Sequence, residues 1–467
     1  TLEPLRPFFV STVDSGNLAG YLLVLKEGIK DYLKKPLWGG EIVNGLRDTF
    51  ELGFSKEEEF EELRKSMVSS KNLSDLVELL AKLQDLAADG DPWQLKFKEM
   101  VNAILEELSA LLPDQETLKE LKAKGEFNEE LHLIQDKPSL ENLKMAYQNI
   151  LEKSIDRELG EIERALTRVE GFLKEAENLI ESIEAIFYEM DFAPLYNEKH
   201  DLFAIGYSKE EEKLTDSYYD LLASEARLIS YLAVCKGEVP KRHWFKLGRA
   251  LTLVGKNRSL VSWTGTMFEY LMPPIIMKDF RNTLLWETYQ TVLEAQVNYG
   301  DLRKVPWGTS ESGYFGFDLH LNYQYKAFGV PDLGLKRGLI EDMVISPYSS
   351  FLALPFNPPK AMANLNRLLE DGLEGKYGLY EAIDYTPERL PPGVDKQVVE
   401  SFMAHHLGMS FTAINNFLNE NVLQKRFHQQ PLVKSGEILL EEKMPARALI
   451  TKELREHIGP LWEIERV

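Results

Sequence analysis

The segment Trp307-Gly308-Thr309-Ser310-Glu311-Ser312-Gly313-Tyr314 sets one carboxylate between two serines, with glycines close on both sides. Hydroxyls and closely approaching backbone amides can hydrogen-bond a carboxylate and hold it ionised. Trp307 and Tyr314 add flat apolar faces of the kind on which sugar rings stack. An anion placed beside an anomeric carbon is what glycosidic chemistry needs. A second acid, Glu225, sits among Leu221, Leu222, Ala223, Ala226 and Leu228. Read as part of a helix over 215–236, it lies amid apolar surface, where desolvation raises a carboxyl pKa as a general acid requires. A structural ion pair with Arg227, or an outward-facing Glu225, accounts for the same residues equally well. Glu269 in Ser262-Trp263-Thr264-Gly265-Thr266-Met267-Phe268-Glu269-Tyr270 is a third acid, whose plainer role is to support its loop from a helix.

Other chemistries find less support. His405 and His406 are adjacent, so on a helix they point about 100° apart and cannot easily share an ion. No Cys cluster or His-x3-His accompanies them, and no metal is expected. One is expected to reach a ligand hydroxyl and the other to be packed and satisfied. There is no Walker loop, no Gly-x-Gly-x-x-Gly after a strand and no Gly-x-Ser-x-Gly elbow, so neither a nucleotide cofactor nor a serine nucleophile is expected. The single cysteine, Cys235, lies in the apolar run Leu232-Ala233-Val234 and reads as a buried small hydrophobe, a usage that fits a reducing compartment.

The elements that must position these residues fall into three stretches. Pro7 to Val13 reads as an extended lead-in, Asp14-Ser15-Gly16-Asn17 as turn or cap chemistry, and Leu18, Tyr21, Leu22 and Leu25 recur at helical spacing. From 56 to 190, Lys and Glu dominate. Phe97, Met100, Val101, Ile104, Leu105, Leu108 and Leu112 trace one amphipathic helix, and the run from Leu151 through Ile155 to Ile183 traces a longer one. Asp114 after Pro113, and Ser139 after Pro138, supply breaks. This stretch reads as a charged helical insertion with solvated faces. From 191 to 467, helices expected over 215–236, 241–255, 281–299, 359–371, 394–420 and 447–456 alternate with aromatic loops at 305–330 and 372–393. Helix and loop at this regularity, with the chemistry in the loops, predict an α/α toroid.

A formal net charge of -21 repels phosphate backbones and argues against nucleic acid as a partner. No apolar run is long enough to span a membrane and no signal peptide opens the chain. The chain begins with Thr1, as an excised piece of a longer protein would.

Several of these segments, in order, resemble the glucoamylase-like domain of cyclic β-1,2-glucan synthases. They are Phe9 to Gly20, Ser217 to Arg227, His243-Trp244-Phe245 through Arg249, Trp263 to Tyr270, Pro306 to Ser312, Gly378-Leu379-Tyr380-Glu381-Ala382 and Met403-Ala404-His405-His406. The resemblance implies an all-α, (α/α)6 toroid with 1–55 and 191–467 forming its parts and 56–190 inserted. It implies a cyclising module on the cytoplasmic side of the membrane, working beside the glycosyltransferase and phosphorylase-like domains of a parent synthase. Linear β-1,2-glucan would be cut and rejoined on its own end. Because the bond type is conserved, the simplest route is double displacement with Glu311 as nucleophile and Glu225 as acid/base, roles that could be exchanged. In related β-1,2-glucanases the acid works through a substrate hydroxyl, which implies a carboxyl separation beyond the ~5–5.5 Å of direct retaining enzymes. Asp14, Tyr219, Asp220, Trp263, Glu269, Trp307, Tyr314, Glu381, His405 and His406 are the expected sugar-binding residues. Leu407 departs from the pattern, where a polar Gln is expected. Three alternatives stay open: an endo-β-1,2-glucanase that transfers to water, a non-catalytic glucan-binding scaffold, and a helical assembly module using 56–190.

Overall fold

The computed structural model describes residues 6–37, 40–54, 60–69, 73–86, 90–136, 138–154 and 159–445. The expected helix 447–456 and Ile155 lie outside these. Contacts divide the chain into two compact units, Thr1–Glu27 with Ala185–Val467, and Gly28–Glu184.

The second unit is helical and has its own core, built on Phe50, Phe97, Leu80, Leu143 and Tyr147. It begins at Gly28, earlier than the compositional change at 56, because helix Gly40–Phe54 packs on helix Pro92–Leu111. Its helix starts are set by short polar side chains. Asp91 accepts from the amides of Trp93 and Gln94 ahead of Pro92, Asp114 from Thr117, and Ser139 from Asn142. The long apolar stripe from Leu151 to Ile183 is divided between helices Leu140–Lys153 and Gly160–Glu189.

The first unit holds every candidate site residue. It combines helices with small antiparallel sheets of two or three strands, so the all-α expectation is corrected here. Strand Phe9–Ser11 pairs with Gly206–Ser208 and runs straight into helix Thr12–Lys34. Buried Thr12 fixes that junction by donating to the Ala204 carbonyl at 2.7 Å. The expected helix 215–236 is shorter: Tyr218–Tyr219 is a strand, Glu225 lies in a turn, and the helix is Arg227–Lys236. This helix is buried nearly all round, from Arg227 to Val234. An apolar run cannot by itself separate buried helix from buried turn, and the bridge between Leu221 and Gly248 decides for the turn. The expected helix 241–255 is also replaced, by the short helix Arg242–Lys246 and a hairpin of Leu251–Val254 with Asn257–Leu260. Its two-residue loop carries Gly255 at φ +59, the glycine-first arrangement that tight hairpins favour. Helix Leu284–Arg303 and helix Pro358–Glu370 lie where the periodicity puts them, whereas 394–420 resolves into strand Gln397–Val399 and helix Ala404–Leu418.

Two glycines govern one close packing. A methyl group on Gly16 would lie 2.4 Å from Cβ of Ile229, and one on Gly20 would lie 3.0 Å from the Leu228 side chain. Helix Thr12–Lys34 therefore meets helix Arg227–Lys236 almost at backbone distance. Gly16→Ala should destabilise the protein by about 1–3 kcal/mol through overpacking. Gly45→Ala, at a helical position with nothing within 4 Å, should instead stabilise by about 0.5–1 kcal/mol. Urea midpoints of the two variants should move in opposite directions, and a neutral Gly16→Ala would contradict the packing argument.

Candidate active site

Helices Thr12–Lys34 and Ala404–Leu418, the turn at Glu225 and the strand opening at Glu311 enclose one cavity of about 780 Å³. Asp14, Asn17 and Tyr21 line it from the first helix at i, i+3 and i+7, one face of that helix. His405, Gly408, Met409 and Thr412 line it from the other helix in the same pattern. Tyr219, Glu225, Phe268, Glu311 and Tyr325 complete the polar and aromatic wall.

Glu225 is held by its own turn. The Ser224 hydroxyl donates to its Oε2 at 3.1 Å and accepts from the Ala226 amide at 3.1 Å. The alternative Glu225–Arg227 ion pair does not form. The fully buried guanidinium donates instead to the Leu222 carbonyl at 3.1 Å, the Tyr270 carbonyl at 3.3 Å and the Tyr289 hydroxyl oxygen at 2.9 Å. Arg227 thereby pins the backbone on which Glu225 is mounted.

Glu311 opens strand Glu311–Phe317, paired with Tyr323–Ala327. Gln296 clamps the approach, accepting from the Thr309 amide at 3.0 Å and donating to the Thr309 carbonyl at 3.0 Å. The Tyr348 hydroxyl lies 2.6 Å from Ser310 Oγ and 2.8 Å from the Glu311 carbonyl oxygen. The serines do not serve the Glu311 carboxylate as expected. The Ser310 hydroxyl accepts from the Phe268 amide, and Ser312 Oγ has no hydrogen-bond partner. The side-chain donor to Glu311 is Tyr325, at 3.4 Å.

Both carboxyls are pushed upward. Burial, then the charge of Glu269, then that of Glu311, raises Glu225 to about 8, against the pull of its backbone and Ser224 hydrogen bonds. Burial, then Glu269, raises Glu311 to about 7, against Tyr325 and Lys336. Glu269 acts from behind the wall. It is 4% exposed and closes a capping box with Thr266, accepting from Ser262 Oγ at 2.8 Å and from the amides of Thr264 and Thr266. It is therefore a supporting residue and not one that meets a ligand.

Other expected contacts are also corrected. Trp307 is buried in the core where its backbone crosses Gly300, and its amide and carbonyl bond to Asn364, so it offers no stacking face. Tyr314 packs edge-on against Phe328 beneath Arg389 and lies off the cavity. Trp263 is half exposed and donates its indole N–H to Asp220 at 2.7 Å, and neither residue lines the cavity. Glu381 is buried, taking the Gly313 amide at 3.1 Å and His406 Nδ1 at 2.9 Å. The histidine pair divides as its spacing requires: His405 lines the cavity while His406 is packed against the Tyr348 ring, 3.9 Å between centroids. Leu407, the departure from the family pattern, faces a separate apolar groove with Phe402 and Phe411. Asn17, Tyr21, Thr412 and Tyr325 were not anticipated. The first three follow from helical spacing on Asp14 and His405, whereas Tyr325 requires the hairpin register.

Comparison with known proteins extends this picture. Residues 217–431 match the Glycoamylase family, described as putative glucoamylase. The chain is 36% identical over 458 residues to the cyclic beta-(1,2)-glucan synthase NdvB of Rhizobium meliloti (strain 1021), covering 97% of this chain and 16% of that protein. Among solved structures, a beta-1,2-glucanase from Parabacteroides distasonis is 13% identical, with a TM-score of 0.43, over 86% of this chain and 60% of its own. An endo-beta-1,2-glucanase from Talaromyces funiculosus, in complex with sophorose, is 15% identical with a TM-score of 0.38 over 67% of each chain. The resemblance read from the motifs is thus shown by direct comparison: along nearly its whole length, this chain is similar to one segment of a cyclic β-1,2-glucan synthase, about a sixth of that protein.

Proposed function

We propose that this chain is a retaining transglycosylase that cuts linear β-1,2-glucan and rejoins it to its own end, with Glu311 as nucleophile and Glu225 as acid/base. The observation that carries the proposal is the pair of carboxyls facing one cavity, both raised by burial and Glu225 the more so. Burial acts more strongly on Glu225, so it holds its proton more tightly than Glu311, the direction of the division of labour that a double displacement needs. The 36% identity to the glucan synthase supports the substrate class, and the (α/α)6 arrangement of the helices belongs to the same proposal.

In the first step Glu311 attacks the anomeric carbon and the glycosidic C–O bond breaks. The Glu225 proton passes to the leaving oxygen, directly or through a neighbouring sugar hydroxyl. In the second step the 2-hydroxyl at the far end of the same chain gives its proton to Glu225 and displaces Glu311. One glycosidic bond replaces another of the same kind, and no water is consumed. His405 and Asp14, on the two helical walls, are the proposed hydroxyl-binding groups. The parent synthase would supply the substrate from its other domains.

Glu311→Gln and Glu225→Gln should each lower turnover of linear β-1,2-glucan by at least about 10²–10⁴-fold with unchanged thermal stability. Near wild-type activity in either variant would remove that residue from the mechanism. The pH profile of kcat/KM should be a narrow bell. Activity is gained as pH rises through the Glu311 pKa of about 7, because the nucleophile must ionise, and lost as pH rises through the Glu225 pKa of about 8, because the acid must keep its proton. An optimum near the ordinary carboxyl range, with activity falling across neutrality, would contradict the assignment.

A further inference from the structure

Tyr325 lies on the hairpin strand opposite Glu311, with Ala327 paired to Glu311 and Tyr325 paired to Gly313. Alternation along a strand puts Tyr325 on the same face as Ala327, so its ring leans diagonally toward Glu311. Its hydroxyl carries one proton and has three partners within reach: the Glu311 Oε2 acceptor at 3.4 Å, and His406 Nε2 at 3.3 Å and His405 Nε2 at 3.4 Å, each an acceptor only in the tautomer that leaves Nε2 without a proton. His406 is held from two sides. Tyr348 stacks on its ring at 3.9 Å, and its Nδ1 lies 2.9 and 3.0 Å from the two oxygens of buried Glu381. In the tautomer that carries its proton on Nδ1, toward Glu381, Nε2 is left as an acceptor.

We propose that Tyr325 is a positioning residue for Glu311 whose hydroxyl proton alternates between the Glu311 carboxylate and the His406 nitrogen that Glu381 keeps free. The inference rests on the assignment of Glu311 as nucleophile. In the free site the hydroxyl donates to the ionised carboxylate. As Glu311 bonds to the anomeric carbon, its negative charge is consumed, and the hydroxyl turns to His406. As the glycosyl–Glu311 bond breaks, the hydroxyl turns back and stabilises the departing carboxylate. The proton stays on the tyrosine oxygen throughout, so no further acid or base is needed. A donor fixed on Glu311 would blunt its attack, and no donor at all would slow its departure. A hydroxyl with a second acceptor serves both steps.

Two variants on linear β-1,2-glucan should give opposite signatures. Tyr325→Phe removes the donor, so breakdown of the glycosyl-enzyme becomes limiting. Both kcat and KM should fall by about 10–100-fold, kcat/KM should be kept, and intact-protein mass spectrometry after acid quench should show protein carrying added hexoses. Glu381→Gln offers an amide donor to Nδ1, moving the ring proton to Nε2 and committing the tyrosine proton to Glu311. Its kcat/KM should fall with no adduct. The inference is overturned if Tyr325→Phe matches the wild type, or if it loses kcat and kcat/KM equally without an adduct. Tyr325→Phe alone decides this should Glu381→Gln fail to fold. Glu311→Gln assayed alongside separates the two levels. If it is inactive, a negative Tyr325 result falls on Tyr325 only, whereas if it is active, the nucleophile assignment and this inference fall together.

Discussion

Two carboxyls, Glu225 and Glu311, face one cavity with a third, Glu269, buried behind them, and the rest of the first unit exists around that concentration of negative charge. Like charges drawn out of water resist ionisation, which moves both carboxyls toward neutrality. Glu269 has the most donors of the three, taking the hydroxyls of Ser262 and Thr266 and the amides of Thr264 and Thr266. Glu225 and Glu311 each have few donors and are left adjustable.

The framework holds these acids through backbone more than through their side chains. Arg227 ties down the Leu222 carbonyl ahead of Glu225. Gln296 clamps Thr309, and Tyr348 reaches the carbonyl of Glu311 itself. Gly16 and Gly20 let the helix bearing Asp14 approach the helix that follows Glu225. Each acid is therefore anchored through its neighbouring backbone, with few side-chain donors on its carboxyl.

How much of this could be read from the sequence depended on whether the signal was local. Glu311 and Glu225 stood out because their neighbours were unusual for an exposed acid. Helix Leu284–Arg303 followed from spacing, and the breaks read at Asp114 and Ser139 are where new helices start, each capped by that side chain. Of the two roles open to Glu269, the supporting one fits the structure, and Thr266-x-x-Glu269 is the pattern of a capping box, which spends the carboxylate on backbone amides. Trp307 was misread because an aromatic beside a glycine has two explanations, a ligand platform or a backbone crossing, and here Gly300 supplies the crossing. The hairpin at Gly255 was hidden by an apolar run that suits either period. Tyr325 could not be found at all without the register that sets it diagonal to Glu311, since only pairing across strands brings residues 14 positions apart to the same oxygen.

Under the proposed double displacement, a cyclising enzyme and a glucanase differ in where the glycosyl group goes when it leaves Glu311. A chain on which the cavity keeps hold can return its own end, and proximity favours that acceptor. The most direct test is to incubate this chain alone with linear β-1,2-glucan and follow both product masses and reducing ends. Cyclisation predicts products lighter by one water than linear chains of the same length, with no growth in reducing ends. Shorter linear products, with reducing ends rising in step with cleavage, would contradict it.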